Sequence, residues 1–319
     1  MKTPEEVTTR PDEHTEVPLT KEEKQANKKE QKRLKKKEKK EGRRIRSLEP
    51  MSELTPFLMK KRNDACNFFE AEFDTEAADA YITQKRKEGL KSFSMMHLLI
   101  AAYVRTVAEY PGVNRFIRGQ RVMARNRIVI IMTIKREAVL DKGETVVKFY
   151  PKADATAEEI YRSMEETIEA AHEENSTDFD KTIKKLTCLP RFMLRGTVHL
   201  LHLLDYYGIM PKSLVNVSPF HGSLCVTSMG SLGMPPIYHH IYNFGNIPLF
   251  LAFGSVEKKL HLTPDGDVVK KRFLPLKVTC DERICDGHYY ATFLKTIRRN
   301  FKNPHLLDTP PAEVKEDIP

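Results

Sequence analysis

A run of nine residues in the first half of the chain limits the choice of fold most strongly. RIVIIMTIK (127–135) is an almost uninterrupted series of β-branched and other apolar residues, which is typical of a strand that has neighbours on both sides and is covered on both faces. Such a strand needs both a sheet and helices to bury it. The sequence therefore predicts an α/β domain in which residues 127–135 form an inner strand.

The preceding segments predict a strand and two helices. CNFFEAEFD (66–74) alternates apolar and polar residues, as a half-buried strand does, and a helix ending at Gly89 follows it. A second helix begins at Ser94 and ends before Pro111, and its apolar residues on most sides predict that it is buried. A capping box at Thr156–Glu159 begins a third helix.

The last third of the chain predicts a long hairpin followed by a helix. Two strand-like segments flank a Thr-Pro-Asp-Gly turn at 263–266, and the second of them leads directly into DERICDG (281–287). An amphipathic helix then carries apolar residues at spacings of three and four. Because strands and helices do not alternate strictly, we expect an α+β two-layer sandwich, with a mixed sheet and helices on one side.

Charge and composition divide the chain into regions. The net charge is +9, and residues 21–46 hold fourteen Lys and Arg against five acidic residues. We therefore expect a charged, disordered or partly helical tail over residues 1–46, a domain over 47–308 and a flexible tail over 309–319. The basic tail is either solvated or a contact for anionic lipid or nucleic acid. Without aromatic residues for base stacking, nucleic acid is the less favoured partner.

The sequence also bears on compartment and redox state. The N-terminus lacks the basic-then-apolar pattern of a secretory signal, so the cytoplasm is the expected compartment. The five cysteines are odd in number and scattered, which predicts reduced thiols. No His, Cys or carboxylate set has the spacing of metal ligands.

Four segments stand in order along the chain: FFEAEFDTEAADAYITQKRKEG, EYPGVNRFIRGQRVMARNRIVIIMTI, LCVTSMGSLGM (224–234) and DERICDG. Together they resemble the catalytic domain of the dihydrolipoyl acyltransferases of 2-oxo acid dehydrogenase complexes, and more distantly chloramphenicol acetyltransferase. Where this chain has DERICDG, the family has the signature D-H-R-x-x-D-G. The segment LCVTSMGSLGM is similar to the family's T-x-S-N-L-G strand. The resemblance implies a chloramphenicol acetyltransferase-like fold that usually forms a trimer, with active sites between subunits.

The resemblance also implies roles for individual residues. Acyl groups move between a thioester, such as acyl-coenzyme A, and an acceptor. Thr227 corresponds to the residue that hydrogen-bonds the oxyanion of the tetrahedral intermediate. Asp286, followed by Gly287, corresponds to the signature Asp that pairs with an Arg and holds the turn in shape. Arg62 is the candidate partner for that Asp.

In the family, the His of the D-H-R-x-x-D-G signature is the general base. This chain has Glu282 at that position. Proton transfer from a thiol of pKa about 8.5 to a Glu near 4.3 is about 3 kcal/mol less favourable than to a His near 6.5. Burial or the charge of Asp281 can close part of that gap. Two alternatives remain open: an acyltransferase that uses Glu282 as its base, and an inactive relative that serves as a trimeric binding or scaffolding module.

Other residues are weaker candidates for the site. His239 and His240 are adjacent, so on an extended segment they face opposite ways and one of them can line a channel, together with Ser228. His288 follows the Asp-Gly turn but is expected to point away. Cys280 and Cys285 are expected to be buried small residues rather than nucleophiles.

Two differences from the family concern the role of the chain. The family's full-length enzymes carry a lipoyl domain, and this chain has only the charged tail before the catalytic-like region, so we expect a stand-alone protein without a lipoyl attachment. Residues 189–223 are longer than the corresponding family connection and rich in Leu, His and Tyr. This insertion is expected to cap the channel, to make an oligomer contact or, through residues 191–210, to rest on a membrane surface.

Overall fold

The computed structural model describes residues 41–135, 144–173 and 178–317, and these contain a small and a large sheet. The small sheet has the order β1-β4-β3 and is antiparallel throughout. Its strands are β1 (Gly42–Arg44), β3 (Arg115–Arg118) and β4 (Arg121–Arg125).

The large sheet has seven strands in the order β2-β10-β8-β7-β5-β6, and β9 pairs with the outer half of β10. The pairs β5–β7 and β7–β8 are parallel and the others are antiparallel, so the predicted mixed sheet is confirmed. The strands are β2 (Cys66–Asp74), β5 (Ile130–Lys135), β6 (Glu144–Phe149), β7 (Leu224–Ser228), β8 (Leu249–Phe253), β9 (Glu257–Leu262) and β10 (Val268–Asp281).

The described residues also form eight α-helices. They are α1 (Pro50–Leu58), α2 (Glu76–Lys87), α3 (Met95–Glu109), α4 (Ala157–Glu173), α5 (Asp178–Thr187), α6 (Arg191–Tyr206), α7 (Lys212–Val217) and α8 (Gly287–Lys302). Every residue of α3 from His97 to Ala108 is buried, as its apolar sequence predicts. At the start of α4, Thr156 and Glu159 exchange the two hydrogen bonds of the predicted capping box.

The large sheet separates two apolar clusters. Alternate strand residues, such as Ile130, Leu224 and Leu251, pack with α2, α3, α4 and α8 in the main core. The residues between them face the opposite way, and Ile131 and Cys225 form a smaller cluster with Ile247. We call the first side of the sheet the helix face and the second the open face. The prediction of a two-layer fold with helices on one side is thus confirmed, and β5 is the predicted inner strand, between β6 and β7.

Both predicted domain boundaries need correction. Residues 41–46 lie in the folded unit rather than in the tail, because β1 pairs with β4 and Ile45 is buried against Val122 and Ala124. The expectations for residues 1–40 lie outside the described residues. At the other end, the segment from residue 309 to 317 packs on the domain, since Arg115 makes a two-pronged ion pair with Asp317 at 2.7 Å.

The insertion at residues 189–223 forms α6, α7 and the loop after them. Neither helix has a buried residue, and apolar side chains such as Phe192 and Tyr207 are 77% and 66% exposed. The amphipathic pattern of residues 189–223 favours helices. No other part of the described chain covers the apolar side of these helices. None of the helices in the described ranges has the length and hydropathy needed to cross a bilayer.

We predict that Asp317→Asn lowers the free energy of unfolding by about 1–3 kcal/mol, because the Arg115 guanidinium loses a buried anionic partner. Glu313→Gln, an exposed change in the same segment, is the matched control and should change stability by less than about 0.5 kcal/mol. Urea unfolding measures both variants. Equal, near-zero effects would show that the C-terminal segment does not pack on the domain in solution.

Candidate functional site

The DERICDG turn joins the end of β10 to the beginning of α8. Asp286 is the N-cap residue of α8, and its Oδ1 accepts a hydrogen bond of 2.8 Å from the backbone N–H of Tyr289. Gly287 is the first residue of the helix. This cap satisfies one of the free N–H groups of the first turn and fixes where the helix begins.

A buried ion pair holds the first half of the turn. Arg283 Nε and Nη2 donate to the two carboxylate oxygens of Asp281 at 2.8 and 2.7 Å, and the Arg283 backbone N–H adds a third hydrogen bond at 3.1 Å. Asp281 is fully buried and Arg283 is 5% exposed. The Tyr290 hydroxyl donates to the Asp281 carbonyl at 2.8 Å, so the turn is also tied to α8.

Arg62 lies beside this ion pair but does not bind Asp286. It is buried, and its Nη1 donates to the Ile247 carbonyl at 3.2 Å. Burial lowers the pKa of Arg62 to about 10, against the opposing effect of the Asp281 carboxylate. The structure therefore does not form the predicted Arg62–Asp286 pair. Asp286 caps α8 instead, and the carboxylate near Arg62 is that of Asp281.

The structure does not bring Thr227 and Glu282 together within one chain. Thr227 pairs with Ala252 on β8, and Ala252 pairs with Lys277 on β10. Glu282 follows Lys277 by five residues, which corresponds to about 16 Å along the strand direction. Glu282 is half-buried, and its carboxylate has no partner among the described residues. A site that uses both side chains requires two copies of the chain.

Thr227 lies on the open face, where His239 also packs. The His239 ring stacks on Phe250 with centroids 4.3 Å apart, and its Nε2 is buried without a hydrogen-bond partner. Burial, and then the neighbouring His240, lower the pKa of His239. His240 is exposed, and its ring lies 4.8 Å from that of Tyr242 between centroids, so it lies off this stack. That either histidine lines a channel stays a prediction.

Ser228 faces the helix side of the sheet, opposite to Thr227, and lines a cleft of about 410 Å³. Two arginines border the cleft, and one of them, Arg272, is about half exposed and lies 3.4 Å from Asp79. The other, Arg86, donates to the Phe93 carbonyl at 2.8 Å. The remaining lining residues are mainly apolar or hydroxyl-bearing: Ile82, Thr83, Ser94, Met95, Met96, Phe253 and Val256.

Three other candidates take no part in these surfaces. Burial raises the pKa of Cys285 to about 12 and raises that of Cys280 as well, so neither thiol is an activated nucleophile. His288 is exposed on the first turn of α8. Within the described ranges, no three His, Cys, Asp or Glu side chains are grouped to hold a metal ion.

Sequence reasoning missed a hydrogen-bonded set in the insertion. His221 Nδ1 lies 2.8 Å from Ser218 Oγ, and its Nε2 lies 2.8 Å from Oδ1 of Asp205 on α6. The second carboxylate oxygen of Asp205 accepts from the Gly245 N–H at 2.8 Å. The three-residue spacing of Ser218 and His221 is a weak signal, and nothing in the sequence pattern links either of them to residue 205.

Comparison with known proteins finds a similarity in the C-terminal part of the chain. A family model described as the catalytic domain of the 2-oxoacid dehydrogenases acyltransferases matches residues 217–308, which include Thr227 and the complete turn. Over these residues the chain is similar to that acyltransferase family. A search of the curated proteins gives no match.

Solved structures show the same fold over most of the chain. A probable dihydrolipoamide acetyltransferase from Listeria monocytogenes aligns with a TM-score of 0.54 at 16% identity, over 91% of this chain and 94% of that one. Dihydrolipoamide acetyltransferase from Azotobacter vinelandii aligns at 0.50 and 12%, over 94% and 99%. A chloramphenicol acetyltransferase aligns at 0.50 and 15%, over 80% and 96%. The chloramphenicol acetyltransferase-like fold is thus confirmed.

We predict that Arg283→Met lowers the free energy of unfolding by about 3–5 kcal/mol, because it leaves the Asp281 carboxylate buried without a partner. The double variant Asp281→Leu/Arg283→Met should recover much of this loss, since both charges are then removed. Arg162→Ala breaks an exposed ion pair with Glu158 and serves as the control, at about 0.5 kcal/mol. Urea denaturation is the measurement. A small effect of Arg283→Met would mean that water reaches the Asp281 carboxylate.

Proposed function

We propose that the protein is a stand-alone cytoplasmic acyltransferase that moves an acyl group between a thioester, such as acyl-coenzyme A, and an acceptor. The observation that carries this proposal is the family match over residues 217–308, which spans both Thr227 and the DERICDG turn. Two of the similar folds are described as acetyltransferases acting on dihydrolipoamide, and a third is a chloramphenicol acetyltransferase. Acyl transfer is common to all three.

Thr227 is the proposed oxyanion donor. Its hydroxyl is half-buried on the open face and has no hydrogen-bond partner among the described residues. A hydroxyl held on a strand and not otherwise used is free to donate to an oxygen that becomes negatively charged during thioester attack. Such preorganised donation is worth several kcal/mol in acyl-transfer reactions.

The cleft beside Ser228 is the proposed binding site for the thioester donor. Arg86 and Arg272 offer positive charge for phosphate groups, and the methionines and Phe253 offer apolar surface for the remainder of the ligand. Since Ser228 and Thr227 are adjacent on β7 but face opposite ways, the thioester arm would pass the end of β7 to reach the Thr227 hydroxyl.

Glu282 is the proposed base, acting across a homotrimer. Its free carboxylate lies about 16 Å from the level of Thr227 in the same chain, so the Glu282 of one subunit would face the Thr227 of the next. Exposed apolar side chains at Phe68 and Tyr242 are consistent with a face covered by another copy. His239, on the open face with Thr227, is the competing base within the chain.

The alternative function is an inactive trimeric binding or scaffolding module. What favours it is that Glu282 stands where the resemblance places the signature His. A Glu base makes proton removal from a thiol about 3 kcal/mol less favourable than a His base does. In that case the protein keeps the fold and the cleft for binding but does not catalyse acyl transfer.

We predict that the protein binds acetyl-coenzyme A and that Arg272→Ala weakens binding about tenfold, because a charged hydrogen-bond donor to phosphate is lost. Isothermal titration calorimetry measures the dissociation constants. Arg195→Ala removes an exposed arginine outside the cleft and should leave binding unchanged. Absence of binding by the wild type, or equal losses in the two variants, would exclude the cleft as the donor site.

We predict that Thr227→Val lowers turnover about 10²–10³-fold, whereas Thr227→Ser retains most of it, because only the first removes the hydroxyl donor. Release of the coenzyme A thiol is followed with a panel of thiol, amine and alcohol acceptors, including dihydrolipoamide. Glu282→Gln and His239→Gln are compared in the same assay, and the variant that loses turnover identifies the base. A wild type that transfers nothing, beside a Glu282→His variant that does, would establish the scaffolding alternative instead.

A further inference from the structure

The insertion contains a linked serine, histidine and aspartate that the proposed acyl-coenzyme A reaction does not use. Ser218 follows α7, His221 lies three residues later and Asp205 is near the end of α6. The two hydrogen bonds that join them, Ser218 Oγ to His221 Nδ1 and His221 Nε2 to Asp205 Oδ1, are both 2.8 Å long. This is the order of nucleophile, base and orienting carboxylate.

The hydrogen bonds fix the direction of proton transfer. An ionised carboxylate accepts only, so His221 Nε2 carries the hydrogen that faces Asp205. In the neutral imidazole, Nδ1 is then the acceptor, and the Ser218 hydroxyl must donate to it. The pKa of Asp205 is lowered: burial opposes ionisation, but the hydrogen bond to His221 and the Gly245 N–H outweigh it. Asp205 therefore keeps the imidazole in the tautomer that can take a proton from Ser218.

The surroundings combine a buried base with an accessible serine. His221 is 3% exposed, whereas Ser218 is only half-buried. The Phe220 N–H donates to Ser218 Oγ at 3.3 Å and would stabilise negative charge on that oxygen. Phe220 packs against Tyr242 at 4.8 Å and Phe244 at 5.6 Å between ring centroids, which provides apolar surface beside the serine.

We propose that Ser218 is a nucleophile for carboxylic esters with small apolar acyl groups, in a reaction that goes beyond the proposed function and needs neither coenzyme A nor Thr227. Ser218 Oγ bonds to the ester carbonyl carbon, its proton passes to His221 Nδ1, and the carbon–oxygen bond to the alcohol breaks as the alcohol takes that proton. Water then attacks the acyl-serine, releasing the carboxylic acid and restoring the Ser218 hydroxyl. Asp205 is a positioning residue.

The first experiment uses the wild-type protein, treated with a fluorophosphonate probe and mapped by peptide mass spectrometry. We expect modification at Ser218 and none at Ser213, an exposed serine on α7 that has no histidine partner among the described residues. Equal modification of the two serines, or none at Ser218 in the folded protein, overturns the proposal.

The second experiment measures hydrolysis of p-nitrophenyl acetate. Ser218→Ala should lower the rate about 10²-fold, and Ser213→Ala should leave it unchanged. In Asp205→Asn, we expect the amide oxygen to accept from the Gly245 N–H and the amide NH₂ to face His221. The His221 tautomer is then reversed, so Nδ1 carries the hydrogen and cannot take the Ser218 proton. Labelling of Ser218 by the fluorophosphonate probe should therefore fall about 10²-fold. Asp205→Glu, which keeps a carboxylate, should restore part of the labelling. Wild-type rates in Ser218→Ala, or normal labelling in Asp205→Asn, contradict the assignment.

Discussion

The ion pair between Asp281 and Arg283 is the interaction on which the junction of β10 and α8 depends. β10 is the longest strand of the large sheet and pairs with β2, β8 and β9, and Asp281 is its last residue. Two charges removed from water at this point are stable only because they satisfy each other in a two-pronged geometry. The backbone is fixed there as well, since the Asp281 N–H donates to the Pro248 carbonyl and the Glu282 N–H to that of Ala65. The position of Glu282 follows from this anchoring.

The two faces of the large sheet differ in composition. On the helix face, a continuous apolar core packs against the sheet, and a cleft opens near the N-terminus of α3. Among the described residues, the open face has a small apolar cluster, and Lys277 on this face lies over the exposed Tyr238 ring, at 4.7 Å from its centroid. A surface of this composition is suited to contact with another molecule of protein or ligand. In the proposed acyl transfer, Thr227 and Glu282 can meet only through such a contact between two copies of the chain.

Local patterning made much of this fold predictable from the sequence. The strand over residues 66–74, the buried helix before Pro111 and the hairpin before the DERICDG turn leave periodic or turn signals that depend on near neighbours alone. The site was less predictable because its contacts join residues far apart in the chain. Arg62 approaches Asp281 rather than Asp286, and Asp205 reaches His221, through tertiary packing that carries no period in the sequence. The domain boundary at residue 46 was misplaced for a related reason: the basic residues around β1 suggest a solvated tail, but Glu41 binds Arg118 and Arg125.

The opposite orientation of Thr227 and Ser228 has a consequence for how this protein can vary. Successive residues of a strand point to opposite faces, so a shift of β7 by one position would exchange the two side chains between the cleft and the open face. The same shift would turn Cys225 into the main core and Val226 out of it. Loss or gain of a single residue in β7 is therefore far more damaging than a substitution at either end of it, and length changes should be confined to the loops that flank the strand.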